Sequence, residues 1–364
     1  MRVLVMPDSF KGSLDAAAVA AAIATGVRAG APDAQVTCVP LGDGGENTIA
    51  NLAQPLHLQR RTAQVHGADG VQRQSSYYLS ADGQTVYLQA AEVVGYADYV
   101  RPGHSGLPLS TYGIGEILHM AQNAGVQRAV LALGGSATTD GGVGMLQALG
   151  WSLPGLPANK HAGGADLAAI ADLQAPSNWQ MQVIALVDVD NPLTGTRGAA
   201  AVFGPQKGLT IEEIKRTDHE LARLYPAAIA NLAGSGAAGG LGAAVAGPLG
   251  GQLQSGISYV LDQLQLDAQL AAADLLITGE GHLDEQSTHG KVLDGLMTRL
   301  RAVGGHAKTV ALCGAVSQRG AKALGIDLAL AISPGKQTLA EQLATTAANL
   351  QYVASGVARL MSKE

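Results

Sequence analysis

Ala129-Val130-Leu131-Ala132-Leu133 is an unbroken apolar run, and Gly134-Gly135-Ser136-Ala137-Thr138-Thr139-Asp140-Gly141-Gly142 follows it directly. The run predicts a strand buried on both faces, as in a parallel sheet. Met145, Leu146 and Leu149 then fall at helical spacing. Strand, glycine-rich loop and helix in that order belong to an α/β fold, and the layout aims backbone N–H groups at an anion. Ser136 and Thr138 add hydroxyl donors. Asp140 is the odd member, because a carboxylate repels phosphate unless a cation such as Mg²⁺ stands between them. The same residues also fit a plain βα turn with Thr139 or Asp140 as helix cap. Both readings stand at this level.

A chain of 364 residues favours two domains, and 47% hydrophobic content supplies their cores. The net charge is −6 with no basic run, so nucleic acid and anionic membranes are poor partners. Cys38 and Cys313 lie in apolar, strand-like runs, which suits buried free thiols in a reducing compartment. The apolar run Val3–Met6 is too short for a signal peptide, and Leu224–Leu261, although uncharged, is interrupted by Pro, Asn, Gln and many glycines. A cytoplasmic protein is expected.

Strand-like runs near residues 3, 36, 275, 309 and 328 alternate with helical patterns and predict one five-stranded sheet. Ser13 is placed to cap the alanine-rich helix carrying Val19, Ile23 and Val27. Asp43 with Glu46, Thr210 with Glu213 and Thr338 with Glu341 have capping-box spacing. Tyr77–Leu79 and Thr85–Gln89 flank an Asp-Gly turn and predict a hairpin. The expected fold is α/β, with two α/β domains. One is a discontinuous, flavodoxin- or Rossmann-like domain over 1–66 and 268–364, with a parallel, doubly wound sheet. The other is a mixed α/β domain inserted over 67–267. Sites in such sheets lie beyond the C-terminal strand ends.

Those ends carry Asp8, Ser9, Lys11, Asp43, Glu46, Ser136, Thr138, Asp140, Asp188, Asp190, Lys207, Glu280, Asp284 and Lys291, with glycine beside nearly all of them. No His cluster has zinc spacing, no nucleophile elbow is present, and neither a P-loop nor a dinucleotide fingerprint follows a strand. Acids, a few lysines and glycine loops suit phosphoryl transfer, which asks for positioning and neutralising cations. The residues themselves lead to a two-domain enzyme acting on a small anionic substrate. Two rivals are a dehydrogenase or lyase for a hydroxy acid, which lacks its fingerprint, and a non-catalytic carboxylate-binding protein.

Eight runs, in one order along the chain, resemble the bacterial type-1 glycerate kinase family. They are Pro7-Asp8-Ser9-Phe10-Lys11-Gly12-Ser13-Leu14, Gly42-Asp43-Gly44-Gly45-Glu46, Gly134-Gly135-Ser136-Ala137-Thr138 and Asp140-Gly141-Gly142. Further on come Asp188-Val189 with Asn191-Pro192-Leu193, Phe203-Gly204-Pro205-Gln206-Lys207-Gly208, Gly236-Ala237-Ala238-Gly239-Gly240, and Thr278-Gly279-Glu280-Gly281 with Asp284, Gln286-Ser287 and Gly290-Lys291. The chain departs from that pattern at Asn47, where the family usually has glycine, at Thr139, where it often has asparagine, and at His282, a position commonly basic.

The resemblance implies Mg²⁺- and ATP-dependent phosphorylation of D-glycerate, with 2-phosphoglycerate as product and the active site in the cleft between the domains. It assigns Gly134, Gly135, Ser136 and Thr138 to the ATP phosphates and makes Asp188 the base for the substrate hydroxyl. Asp140 and Glu280 are its metal candidates. Lys11, Lys207 and Lys291 neutralise the substrate carboxylate or the moving phosphoryl group, and Asp8, Ser9, Asp43, Glu280 and Asp284 complete the substrate side. Neither nucleic acid nor membrane is an expected partner, and both a monomer and a homodimer agree with the sequence.

Overall fold

The apolar runs become strands of two separate sheets. The computed structural model describes residues 1–364 apart from 46, 158, 286–291, 334, 336, 363 and 364. Its strands are β1 (Arg2–Val5), β2 (Gln35–Cys38), β3 (Gln59–His66), β4 (Gln72–Leu79), β5 (Thr85–Gln89), β6 (Arg128–Ala132), β7 (Gln182–Val187), β8 (Gln252–Ser255), β9 (Leu275–Thr278), β10 (His282–Leu283), β11 (Lys308–Cys313), β12 (Ala315–Val316) and β13 (Leu328–Ala331). The chain is a mixed α/β protein with one parallel sheet and one mixed sheet.

By contacts the chain divides into two compact units, Met1–Asp43 with Ile257–Glu364, and Gly44–Gly256. The sequence patterns place these divisions at 66/67 and 267/268. The stretch between the two N-terminal positions holds β3, an outer strand of the second unit's sheet.

In the first unit five parallel strands run in the order β13-β11-β9-β1-β2, as the apolar runs predict. Val3, Val5, Leu275, Ile277, Val310 and Leu312 join Val19, Ile23 and Val27 of the helix Ala16–Gly30 and Leu350, Ala354 and Val357 of the helix Leu339–Met361 in one core. Leu4, Leu276 and Ala311 alternate with them and are also buried, so both faces of the sheet are covered. The two helices approach backbone to backbone. A Cβ on Gly26 would lie 2.2 Å from the Gln351 carbonyl oxygen, and one on Gly30 would lie 2.2 Å from that of Ser355. Asp15, rather than Ser13, caps the first of them by accepting the Ala18 N–H at 2.7 Å. Ser13 instead donates to the Leu343 carbonyl at 2.8 Å. Of the two free thiols, Cys313 is buried on a central strand and Cys38 is exposed, because β2 is an edge.

In the second unit the sheet order is β3-β4-β5-β6-β7-β8, antiparallel through β3, β4 and β5 and parallel from β5 to β8. The predicted hairpin is the β4–β5 pair. Thr210 and Glu213 form the predicted capping box at the helix Ile211–Leu224, and Thr338 and Glu341 form the one at Leu339–Met361. The expected Asp43–Glu46 box lies outside the described residues through Glu46, and the N-cap of the helix Thr48–Ala53 is Asn47. Asn47 sits at φ 65, ψ 0, a left-handed conformation that asparagine tolerates better than other residues with a Cβ, which accounts for its standing at a glycine position.

Candidate active site

Strand register gathers the predicted residues at two places, one in each unit. In the first unit Val5 pairs with Ile277, so Asp8 and Glu280 both follow three residues beyond paired positions. The Asp8 N–H donates to the Gly279 carbonyl at 2.9 Å and locks that register. Its carboxylate accepts the Ser9 N–H at 2.6 Å. Burial, with the charges of Asp43 and Glu280 adding to it, pushes the Asp8 carboxyl up to about 7. Asp8, Asp43 and Glu280 therefore form one acidic group. Phe10 and Lys11 run beside Gly281, and Lys11 is exposed. Asp284 follows β10, with its carbonyl against Gly320. Lys291, with Glu46, Gln286 and Ser287, lies outside the described residues.

In the second unit Ala132 pairs with Leu186, so Gly134 and Asp188 stand at the same edge of the sheet, each two residues past a paired position. Asp188 is half-buried directly after β7. Asp190 and Asn191 hold the loop beyond it, through an exposed Asp190–Arg197 ion pair at 2.8 Å and an Asn191 Nδ2 bond to the Arg197 carbonyl at 2.7 Å.

The loop after β6 is fastened on three sides. The N–H groups of Gly134, Ala137 and Gly141 donate to the carbonyls of Gly44, Val94 and Gly239 at 3.0, 2.8 and 3.0 Å. The Gly135 carbonyl accepts the Tyr96 N–H at 2.7 Å. Among the described residues, the N–H groups of Gly135, Ser136 and Thr138 make no backbone hydrogen bond. The buried hydroxyls of Thr138 and Thr139 have no partner among the described residues either. These are the groups a glycine-rich loop offers an anion.

Lys207 enters this loop from the short 3₁₀ turn Pro205–Lys207 and is only 3% exposed. Its Nζ donates to the Thr138 carbonyl at 2.7 Å and reaches the Ser136 Oγ at 3.4 Å. Among the described residues no carboxylate lies within ion-pair distance of it. Burial pushes its ammonium down to about 8, against the opposing charge of Asp140. A buried, unpaired lysine beside a glycine loop is a functional signature, since burial of a charge without a partner is costly.

Asp140 is held within the loop. It is fully buried and accepts four hydrogen bonds: from the Thr111 N–H (2.9 Å) and Oγ1 (2.7 Å), and from the N–H groups of Gly142 (2.9 Å) and Gly144 (3.3 Å). Burial pushes its carboxyl up and these donors pull it back. Three of the four are backbone N–H groups, which can only donate, so the set serves a carboxylate. Its oxygens bind the start of the helix Val143–Ala148, whose N-cap is Gly142 rather than the Thr139 or Asp140 that the loop sequence allowed.

Three further residues shape this loop without a sequence signal that singles them out. Tyr96 joins the Gly135 carbonyl, through its N–H, to the Gln206 carbonyl, through its hydroxyl at 2.8 Å. Tyr225 donates its buried hydroxyl to the Gly141 carbonyl. Thr111 stands before the helix Tyr112–Asn123, and its hydroxyl donates to Asp140. Gly239, in the Gly236–Gly240 run, is pressed against Thr138 at a positive φ of 68.

Among the described residues no helix is long and apolar enough to cross a membrane, and no three His, Cys, Asp or Glu side chains are grouped so that they could hold a metal ion by themselves. The glycerate kinase family model matches residues 3–362. A glycerate kinase of Halalkalibacterium halodurans is 34% identical, over 99% of this chain and 98% of its own. A glycerate 2-kinase of Escherichia coli K12 is 37% identical over 80% of each chain. The crystal structure of a candidate glycerate kinase 2 from Salmonella typhimurium LT2 superposes with a TM-score of 0.83 at 36% identity, covering 100% of this chain and 98% of that one. With the family model and these relatives matching along nearly its whole length, the chain belongs to the glycerate kinase family and is a kinase.

Proposed function

We propose that the chain transfers the γ-phosphoryl group of ATP to D-glycerate, giving 2-phosphoglycerate and ADP. The observation that carries this reading is the buried Lys207 ammonium, seated on the Ser136–Thr138 loop with no carboxylate at its Nζ among the described residues. Phosphoryl transfer needs such a fixed cation where charge accumulates on the moving group.

In this reading the N–H groups of Gly135, Ser136 and Thr138 and the hydroxyls of Ser136 and Thr138 bind ATP phosphates, while Gly134 fixes the loop. Asp188 accepts the proton of the substrate hydroxyl as the new O–P bond forms. Lys11 and Lys207 neutralise the glycerate carboxylate or the phosphoryl oxygens, and Lys291 joins them through the resemblance alone. Asp8, Ser9, Asp43 and Asp284 orient the substrate hydroxyls and the lysines.

The resemblance offers Asp140 and Glu280 as the Mg²⁺ candidates, and Glu280 lies in one acidic group with Asp8 and Asp43. Burial first, and then the charges of Asp43 and Glu280, raise the Asp8 carboxyl, and a cation beside Glu280 would ease the second of these. Asp140 already accepts four hydrogen bonds, so it would reach a cation only through water. When bound, Mg²⁺ would supply charge neutralisation for phosphate oxygens.

The test is a ³¹P NMR time course with Mg-ATP and D-glycerate, with L-glycerate as control. A growing 2-phosphoglycerate signal supports the whole reading. A 3-phosphoglycerate signal keeps the kinase and overturns the position of attack. ATP left intact with D-glycerate and with related hydroxy acids sinks the proposed reaction.

A further inference from the structure

The helix Leu339–Met361 turns one side to the core and leaves apolar residues on the other. Leu350, Ala354 and Val357 belong to the core of the first unit. Tyr352, Leu339 and Leu360 are instead 81%, 69% and 68% exposed. They are the three most exposed large hydrophobic side chains among the described residues, and all lie on this helix. Single exposed apolar residues need no explanation, whereas several on one element mark a contact surface. Ala340, Ala344, Ala348, Tyr352, Gly356 and Leu360 stand four residues apart and are all exposed, so they form one ridge of the helix. A Cβ on Gly356 would meet nothing within 4 Å.

The ridge is self-complementary. About position 350, Ala348 is the counterpart of Tyr352, Ala344 of Gly356 and Ala340 of Leu360. Two copies laid antiparallel would set each large side chain against an alanine, with small residues facing each other between them. The charges follow the same symmetry. Glu341 and Arg359 flank the ridge at equal distance from position 350. Both Thr338 bonds to Glu341 go to its Oε2, and Arg359 donates to the Ser355 Oγ at 3.1 Å. Among the described residues neither Glu341 nor Arg359 is in an ion pair. We propose that this face binds a second copy of the chain, as an antiparallel helix pair in which Glu341 of each copy meets Arg359 of the other. A parallel pair would put like charges together, and a partner of one charge sign would be repelled at one end. Such an interface is isologous, with the same patch on both copies. Ridges of this kind align when the helices cross at about 50°. The contact is one helix wide, so the dimer is expected to form at micromolar concentration.

Association at this face is independent of the proposed reaction. The full chain is followed by sedimentation equilibrium from about 1 to 200 µM, with circular dichroism to verify folding. The native chain is expected to pass from monomer to dimer in this range. Ala348→Glu, at an exposed position, sets a carboxylate against Tyr352 of the other copy and should raise the dissociation constant about 100-fold. Arg359→Glu alone and Glu341→Lys alone should each weaken the dimer about ten-fold, because each sets like charges together twice. An equimolar mixture of those two variants should regain native association, since the heterodimer carries two opposite-charge pairs. Antiparallel pairing predicts that recovery, and loss of the helix cap in Glu341→Lys does not produce it. Should Ala348→Glu not fold, the mixture decides. A native chain that stays monomeric throughout the range overturns the proposal. So does a dimer that Ala348→Glu leaves intact, which uses another surface, and so does a mixture that associates no better than its components. A monomeric chain that floats with phosphatidylcholine vesicles gives the face to a lipid surface and overturns it as well.

Discussion

A Cβ on Gly239 would lie 2.1 Å from the carbonyl oxygen of Thr138, the same oxygen that receives the Lys207 ammonium. The family run Gly236–Gly240 and the buried lysine therefore meet at one atom. Gly239→Ala faces both this clash with rigid backbone and a strained φ. We expect it to cost about 2–4 kcal/mol in urea unfolding, and to lower kcat more than KM for ATP. Native stability in that variant would contradict the packing described.

Lys207 carries its charge below about 8 and loses it above. Turnover that needs the ammonium should therefore be steady from neutral pH up to that region and fall as pH rises through it. Ordinary exposed lysines titrate near 10.4, so the same fall about two units higher would point away from Lys207. A kcat/KM profile from pH 6 to 10 makes the distinction.

The Asp8 carboxyl stands near 7 in the folded chain and near 3.8 in an unfolded one. The raised value means the fold binds the proton more tightly. The stability tied to that proton is complete below 3.8 and is lost as pH rises through 7. Asp8→Asn, always neutral, should match the native chain near pH 3.5 and exceed it by about 1–3 kcal/mol at pH 8. Chemical denaturation at the two pH values measures the difference. Equal stability at pH 8 would show that the acidic group is not strained by its own charge.

Asp188 follows β7 level with Gly134. As the base it should be indispensable to the chemical step and dispensable to folding. Asp188→Asn is expected to lower kcat by about 10²–10⁴-fold while the melting temperature stays within a few degrees. A folded variant with near-native turnover removes it from that role.

Thr338 donates to and accepts from Glu341 in the box that opens the last helix. Thr338→Ala should cost about 1 kcal/mol without altering kcat, read by thermal unfolding and by assay.

Residues with a local signature were legible before any coordinates. Val3–Met6, Leu275–Thr278 and Thr309–Cys313 are dense apolar runs, and they are the buried strands of the parallel sheet. The strands without an apolar signature are the outer ones. Gln59, Arg60, Arg61 and Thr62 of β3 are exposed, and β8 carries Gln252 and Gln254, so neither shows a hydrophobic period. That is why residue 66 looked like a boundary and not the end of a strand. In the site, Asp140 and Lys207 were visible as residues but not as environments. The four donors on Asp140 come partly from Thr111, far back in the chain, and the burial of Lys207 depends on Ser136 and Thr138. Tyr96 and Tyr225 act through one hydroxyl each on distant carbonyls, a relationship that no spacing encodes.

The helices Ala16–Gly30 and Leu339–Met361 close on each other through Gly26 and Gly30, yet the first is made long before the second. All of Gly44–Gly256 is synthesised between them. That middle segment has every residue of its own core at hand and can fold while translation continues. Val19, Ile23 and Val27 must wait in water until Leu350, Ala354 and Val357 have been made. The first unit is therefore completed only after its second segment is synthesised, and a nascent chain stalled before Leu339 would carry a finished middle unit and an open, aggregation-prone segment over Met1–Asp43.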